Sequence, residues 1–366
     1  MQRFSSPSAF RHDAPERTAI LLVQLGTPAA PTAAALRPYL REFLSDPRVV
    51  EIPRLIWWPI LHGIILNTRP ARSAQKYASV WTPEGSPLMS HSLHQAEGLR
   101  KELESRGLRP TVALAMRYGE PSIAGVLREL RDQGLRRILV LPLYPQYAGS
   151  TTATAIDAVT REMSGWRNLP ELRWVRNFHD HPAYIEALAD HVRAAWAKRP
   201  PADKLVMSFH GVPRRTLDLR DPYHCECLVT ARLLAERLGL PRERWGVTFQ
   251  SRFGKAEWLQ PYTEPTLVEL AASGTRSVDL LCPGFVSDCL ETLEEIAIEA
   301  RHAFIEAGGT EFNYLGCLND GAPFISALAD LVVAHTAGWP MAPGEGPDAT
   351  SLEARMQRAR ALGAPA

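Results

Sequence analysis

The sequence predicts an α/β fold of two similar halves, each wound around a parallel four-stranded sheet, with a cleft between them. The first observation behind this is an alternation of eight short apolar runs with longer segments of helical period. The runs of the first half are TAILLVQLG (Thr18 to Gly26), TVALAMRYG (Thr111 to Gly119), RRILVLPLYP (Arg136 to Pro145) and ELRWVRNF (Glu171 to Phe178). Those of the second are KLVMSFHG (Lys204 to Gly211), GVTFQSRFG (Gly246 to Gly254), SVDLLCPGF (Ser277 to Phe285) and EFNYLGCLN (Glu311 to Asn319). Such alternation marks βαβ units and parallel sheets. The second observation is a repeat. ILLVQLGTP is matched by LVMSFHGVP, pairing Gly26 and Pro28 with Gly211 and Pro213. MRYG at Met116 to Gly119 is matched by SRFG at Ser251 to Gly254. GLRRILVLPLY from Gly134 is matched, with one extra residue, by GTRSVDLLCPGF from Gly274. Three correspondences in one order predict a duplicated unit.

These signals divide the chain into a disordered tail over 1–17, a first half over 18–175 and a second half over 176–338. Residues 339–366 read as a Pro/Gly linker and a short basic helix, SLEARMQRARAL, either docked or loose. Acidic and basic residues balance at 40 against 41, so no overall field draws the chain to nucleic acid. The longest apolar candidate, Leu55 to Leu66, is broken by Pro59, His62 and Gly63 and is shorter than the roughly 20 residues that span a bilayer. It is either a buried helix or an apolar lip for an oily ligand or a membrane face. The five cysteines include no C-x-x-C pair and no signal-peptide pattern precedes them, which points to free thiols in the cytoplasm.

Side chains just past the carboxyl ends of parallel strands converge on the ligand crevice of such sheets. His210, in SFHGVP, and Glu291, in CPGFVSDCLETLEE, are therefore candidates to face one another there. An imidazole opposite a carboxylate makes a metal site, an acid/base pair, or both. Glu291, Glu295 and Glu299 recur every four residues, with Glu294 beside them. That row is either a solvated helix face or a relay for cations or protons, and Ile298 interrupts it as a mere polar face. Where the second half has His210 the first has Leu25; where the second has Glu291 the first has Ser150 and Thr151. Arg117 and Tyr118, with Arg252 and Phe253 at the repeat position, either bind acidic groups and line a flat slot or serve as ordinary core residues; Tyr144 and Tyr147 share that ambiguity.

Taken together, SFHGVPRRTLDLRDPYHCEC, TFQSRFGKAEWLQPYT, LLCPGFVSDCLETLEEI, AMRYGEP and LYPQYAGSTTAT resemble the ferrochelatases over about Thr18 to Gly338. The likeness is nearest to members from Gram-negative bacteria. It implies two Rossmann-like halves of the chelatase kind and insertion of Fe²⁺, as substrate, into protoporphyrin IX in the last step of haem synthesis. His210 and Glu291 match the family's active-site pair, assigned as metal ligands or proton acceptors. Glu295 and Glu299 match its acidic helix face, and the region of Trp57 its apolar lip, which implies a peripheral membrane contact through Leu55 to Leu66. Leu25, Trp57, Arg117, Tyr118, Tyr144, Ser150 and Thr151 are the expected porphyrin wall. Animal members have a histidine where this chain has Cys289, and cluster-binding cysteines that it lacks, one of them at Gly149, so neither a 2Fe–2S cluster nor any other tightly bound cofactor is expected. Chemistry favours the same reading, because metallation needs a base near neutral pKa and a loosely held metal. Two alternatives stay open: a chelatase for coproporphyrin or another macrocycle, and a tetrapyrrole carrier without catalysis.

Overall fold

A computed structural model describes residues 4–5, 12–254 and 256–364. The first sheet is built from β1 (Thr18–Gly26), β2 (Thr111–Tyr118), β3 (Arg137–Pro142) and β4 (Glu171–Trp174), in the order β2-β1-β3-β4. The second is built from β5 (Lys204–His210), β6 (Trp245–Gln250), β7 (Ser277–Leu281) and β8 (Glu311–Tyr314), in the order β6-β5-β7-β8. All pairings are parallel, and the two orders are the same when the strands of each half are counted from its start. The fold is thus the duplicated α/β architecture that the sequence predicts.

The central strands read as unbroken apolar runs because both of their faces are covered. Ala19, Leu21 and Val23 point into a core on the outer face of the first sheet, against α5 (Ile123–Asp132) and α6 (Thr154–Met163). Val206, Leu280 and Cys282 do the same in the second half, against α10 (Thr263–Ala272) and α11 (Arg301–Glu306). The alternate residues, Ile20 and Leu22 from one sheet and Leu205, Met207 and Phe209 from the other, belong to one shared cluster. Four helices lie between the sheets there: α4 (Pro87–Ser105), α7 (Pro182–Trp196), α9 (Tyr223–Leu238), which follows the short α8 (Arg214–Asp218), and α12 (Ala322–His335). Helix α7 packs on α12, α4 on α12 and α7 on α9. By position in the repeat α4 answers to α9 and α7 to α12, so the contact of α4 with α12 is the counterpart of that of α9 with α7.

A fourth cluster holds the segment between β1 and β2. Leu36, Tyr39, Leu40 and Leu44 of α1 (Ala33–Leu44) pack on Trp57 of α2 (Arg54–Ile60) and on Leu66 and Ala74 of α3 (Leu66–Val80). Thr32 caps α1 by accepting from Ala35 N at 3.3 Å. No described helix is long and apolar enough to cross a membrane.

The structure amends one detail of the repeat. Met116 N donates to Pro121 O at 2.7 Å and Phe249 N to Pro261 O at 2.8 Å, so Phe249 is the counterpart of Met116. Gln24 pairs with Met116 and Phe209 with Phe249, which keeps Leu25 opposite His210 in the repeat. The match of MRYG to SRFG is therefore displaced by two residues: Gln250 and Ser251, not Arg252 and Phe253, answer to Arg117 and Tyr118. The shared R-aromatic-G letters misled because the loop after β6 differs in length from that after β2.

The tail expected to be disordered falls partly outside the described residues. Within them, Ser5 N donates to Gly165 O at 2.8 Å, and Arg355 of α13 (Ala349–Ala361) donates to His12 O and Ala14 O at 2.5 and 3.0 Å. Trp339 is buried, donating to Glu171 Oε1 at 2.8 Å with Arg173 over its ring. The carboxyl-terminal segment is docked.

Candidate active site

His210 closes β5, and the turn that follows depends on Gly211. A Cβ on Gly211 would stand 2.7 Å from Gln250 O, so only glycine lets the chain pass the tip of β6. Gly26, in the matching place after β1, has φ +110 and would put a Cβ 1.8 Å from Tyr118 O. The same constraint thus operates at both tips.

The His210 ring lies 6.4 Å from that of Trp258 and 6.3 Å from that of Phe285, both half-buried. Its Nδ1 is 2.5 Å from Gly211 O. A carbonyl only accepts, so Nδ1 carries the proton and Nε2 keeps the basic lone pair. Tyr223 fixes the backbone beneath by donating to His210 O at 2.9 Å.

Glu291 opens a π-helical stretch, Glu291–Ala300, which runs straight into α11. The wider turn, about 4.4 residues instead of 3.6, follows from i→i+5 bonding and aligns side chains four apart more closely than an α-helix does. Glu291, Glu295 and Glu299 thereby form one file, half-buried at Glu291 and Glu295 and exposed at Glu299. Such π-turns are frequent at functional sites. The first half has a shorter one at the matching position, Gly149–Ala153, carrying Ser150 and Thr151.

Glu295 is the electrostatic link. Burial raises its pKa, as does the charge of Glu291, while bonds from Ser251 and the attraction of His210 oppose the rise without cancelling it. Ser251 donates from both N and Oγ, each at 2.5 Å, and holds the left-handed conformation (φ +64) that points both donors at Glu295. Glu291 faces the other wall: its charge acts on Tyr39, Tyr77 and Arg69 of α1 and α3. Arg69 stacks over Phe253 at 5.0 Å, and burial depresses its pKa against the pull of Glu291. Among the described residues His210 and Glu291 share no hydrogen bond; both bear on Glu295. At the outer end, Lys76 of α3 bridges Glu294 at 2.9 Å and Glu299 at 2.8 Å. Burial raises the pKa of Glu294, with Lys76 opposing.

Gln250, paired in register with His210, is the residue that sequence reading missed. Its Oε1 accepts from Ser208 Oγ at 2.8 Å and its Nε2 donates to Glu291 O at 2.8 Å, tying the histidine strand to the first turn of the glutamate helix. A strand-end position beside His210 was the available signal, masked by the displaced SRFG match.

Several residues of the expected porphyrin wall are committed to contacts within the protein. Arg117 is spent on Asp46, with which it forms a buried ion pair, and on Thr154, through Nε to O at 2.9 Å and to Oγ1 at 2.6 Å. Tyr118 is fully buried and donates to Asp46 Oδ2 at 2.9 Å. Both lie behind the wall and brace it, because a carboxylate from the segment after α1 reaches them first. Trp57 is a core residue whose Nε1 donates to Leu44 O at 2.7 Å; the exposed apolar side chains of that region are Leu55, Ile56, Trp58 and Ile64. Tyr144 is buried and its hydroxyl lacks a partner among the described residues. Leu25, Ser150 and Thr151 are half-buried at their strand and turn tips. Asp221 of the second half accepts from Gly149 N at 2.7 Å, and Glu226 accepts from Tyr147 N at 2.7 Å, so that loop is anchored across the cleft.

The family model described as Ferrochelatase matches residues 17–336. Ferrochelatase of Aromatoleum aromaticum is 61% identical over 365 residues, covering 100% of each chain. That of Polaromonas sp. is 59% identical over 99% of each, and that of Chromobacterium violaceum 57% identical over 93% of each. Among solved structures, SirB from Bacillus subtilis with Fe³⁺ shares the fold at TM-score 0.52 and 15% identity, covering 89% of this chain and 100% of that one. A family match over nearly the whole globular part and majority identity along full-length relatives lead to one conclusion: the chain belongs to the ferrochelatase family.

Proposed function

We propose that the cleft inserts Fe²⁺ into protoporphyrin IX with release of two protons, His210 accepting protons at Nε2 and Glu291 presenting or receiving the metal from the opposite side of Glu295. The observation that carries this is the state of His210: its Nδ1–H is committed to Gly211 O, leaving the other nitrogen as a fixed base near the Trp258 and Phe285 rings. A porphyrin must lose both pyrrole protons before a metal can take four nitrogens. One imidazole and one carboxylate leave positions for water and so hold Fe²⁺ without trapping it. Glu295, with its raised pKa, can take a proton from the cleft and pass it along the file toward Glu299. Arg69, half-buried on the far wall, is placed to meet an acidic substituent of the ring.

The test runs wild type and His210→Ala on protoporphyrin and coproporphyrin, each with Fe²⁺ or Zn²⁺. The expected outcome is insertion into protoporphyrin by the wild type, lost by the order of 10²–10⁴ in the variant, with porphyrin still bound. Unchanged insertion by the variant rejects the base; preference for coproporphyrin moves the substrate.

The finer reading of location is a peripheral membrane contact. Leu55 is 92% exposed, Ile56 58%, Ile64 58% and Trp58 43%, all on the α2–α3 lip. An apolar face of this kind can sink into the headgroup boundary of a bilayer. Co-sedimentation with anionic liposomes should fall several-fold in Leu55→Ser/Trp58→Ser; equal sedimentation ends this reading.

A further inference from the structure

Away from the cleft, α4 carries His91 and His94 three residues apart, on one face of the helix. Opposite them stands Asp320, in the turn that leads into α12. His91 Nδ1 is 3.3 Å from Asp320 Oδ1, and His94 Nδ1 is 3.8 Å from Asp320 Oδ2. One ligand atom from each of the three lies within 4.8 Å of the others. Two ligands of one tetrahedral ion at ordinary zinc–nitrogen distances stand about 3.4 Å apart. Small rotamer adjustments therefore bring all three to a common centre.

The backbone that carries Asp320 is fixed independently of Asp320. Gln95, adjacent to His94 and fully buried, places its Nε2 2.8 Å from Asn319 O, 2.9 Å from Ser287 Oγ and 3.3 Å from Val286 O. Asn319 takes a left-handed conformation (φ +49), donates to Asp288 Oδ2 at 2.7 Å and accepts from Asp288 N at 2.8 Å. The carboxylate is thus held opposite the two imidazoles by buried bonds on a rigid frame, as a preorganised site requires.

We propose that His91, His94 and Asp320 form a second divalent-cation site, separate from the cleft, for borderline metals such as Zn²⁺ or Co²⁺. Two imidazoles and one carboxylate are the donor set of that class, whereas Mg²⁺ and Ca²⁺ demand oxygen ligands. The side chains are 28%, 60% and 45% exposed, so a bound ion keeps water in its remaining positions and exchanges with solution. Unlike the reading of the cleft, this proposal makes no use of His210 or Glu291.

Because the cleft would take the same ions, the test must report position. Crystals of the full chain soaked in zinc chloride, measured above and below the zinc edge, should show an anomalous peak among the three side chains. In equilibrium dialysis with zinc chloride, wild type should bind one equivalent more than His91→Ala/His94→Ala, and His210→Ala should keep that equivalent. Asp320→Asn should weaken the site by at least about tenfold, and millimolar magnesium should leave the zinc in place. If the double variant melts early, His94→Asn, at an exposed position, gives the same reading. Equal stoichiometry and affinity in wild type and the histidine variants would overturn the site, whether or not a peak forms under soaking conditions.

Discussion

The two sheets of this chain have one topology and opposite chemistry at their tips. In the first half Asp46, which meets Arg117 and Tyr118 at the end of β2, is consumed by structure. Burial alone would raise its pKa, but Thr154, Arg48 N, Arg117 and Tyr118 together hold it below the usual carboxylate range. In the second half Glu295 has fewer partners, and burial keeps its pKa above that range. Where Leu25 adds to an apolar cluster, His210 stands near the Trp258 and Phe285 rings with one nitrogen uncommitted. The difference teaches that the fold supplies the place, while the balance between burial and bonding decides whether a polar group braces the wall or works in the cleft.

The strongest way to break this comparison is to move the histidine. Leu25→His combined with His210→Ala should recover no insertion and remain down by the order of 10²–10⁴, because the first tip offers neither the Gln250 link nor a file of glutamates; recovery in a metallation assay would show that the tips are interchangeable. Next in size, Asp46→Ala should cost about 3–5 kcal/mol in urea unfolding, since it strands a buried guanidinium. Gln250→Leu should cost about 1–3 kcal/mol for the two hydrogen bonds lost to Glu291 O and Ser208 Oγ, the latter keeping its bond with Thr263 Oγ1, and should lower kcat more than it raises KM if Glu291 acts in the reaction. The smallest effect is in pH dependence. A lowered carboxyl such as Asp46 gives stability that is lost as pH falls through its folded pKa. A raised one such as Glu295 destabilises the fold as pH rises from the ordinary carboxyl range through its folded pKa. Glu295→Gln should therefore gain in melting temperature relative to wild type as pH rises over that window, and a parallel pair of curves would remove the assigned shift.

The eight strands and the two halves were legible because apolar runs and glycine-terminated tips leave marks in a single chain: Gly26 and Gly211 are required by the approach of a neighbouring strand. The placement of His210 at a strand end and of Glu291 at the start of the helix that follows β7 was legible for the same reason. What stayed hidden depended on contacts between distant segments. Nothing local to Arg117 or Tyr118 announces that Asp46, about seventy residues earlier, captures both. Trp57 and Trp58 are adjacent and equally apolar, yet only the packing on Leu44 shows which is buried. The relay reading of Glu299 likewise could not include Lys76, which arrives from the other half.

The contacts among α4, α7, α9 and α12 have a further consequence. With each repeat unit counted through the helix after its fourth strand, the contact of α7 with α12 is its own counterpart and those of α4 with α12 and of α9 with α7 are counterparts of one another, so these four helices are arranged as in an isologous dimer written in one polypeptide. A symmetric pair of separate half-chains could enclose the same crevice, but any residue on one side would be obliged to recur on the other. Fusion lifts that obligation, and it is what permits a leucine to face the crevice from one side while a histidine faces it from the other.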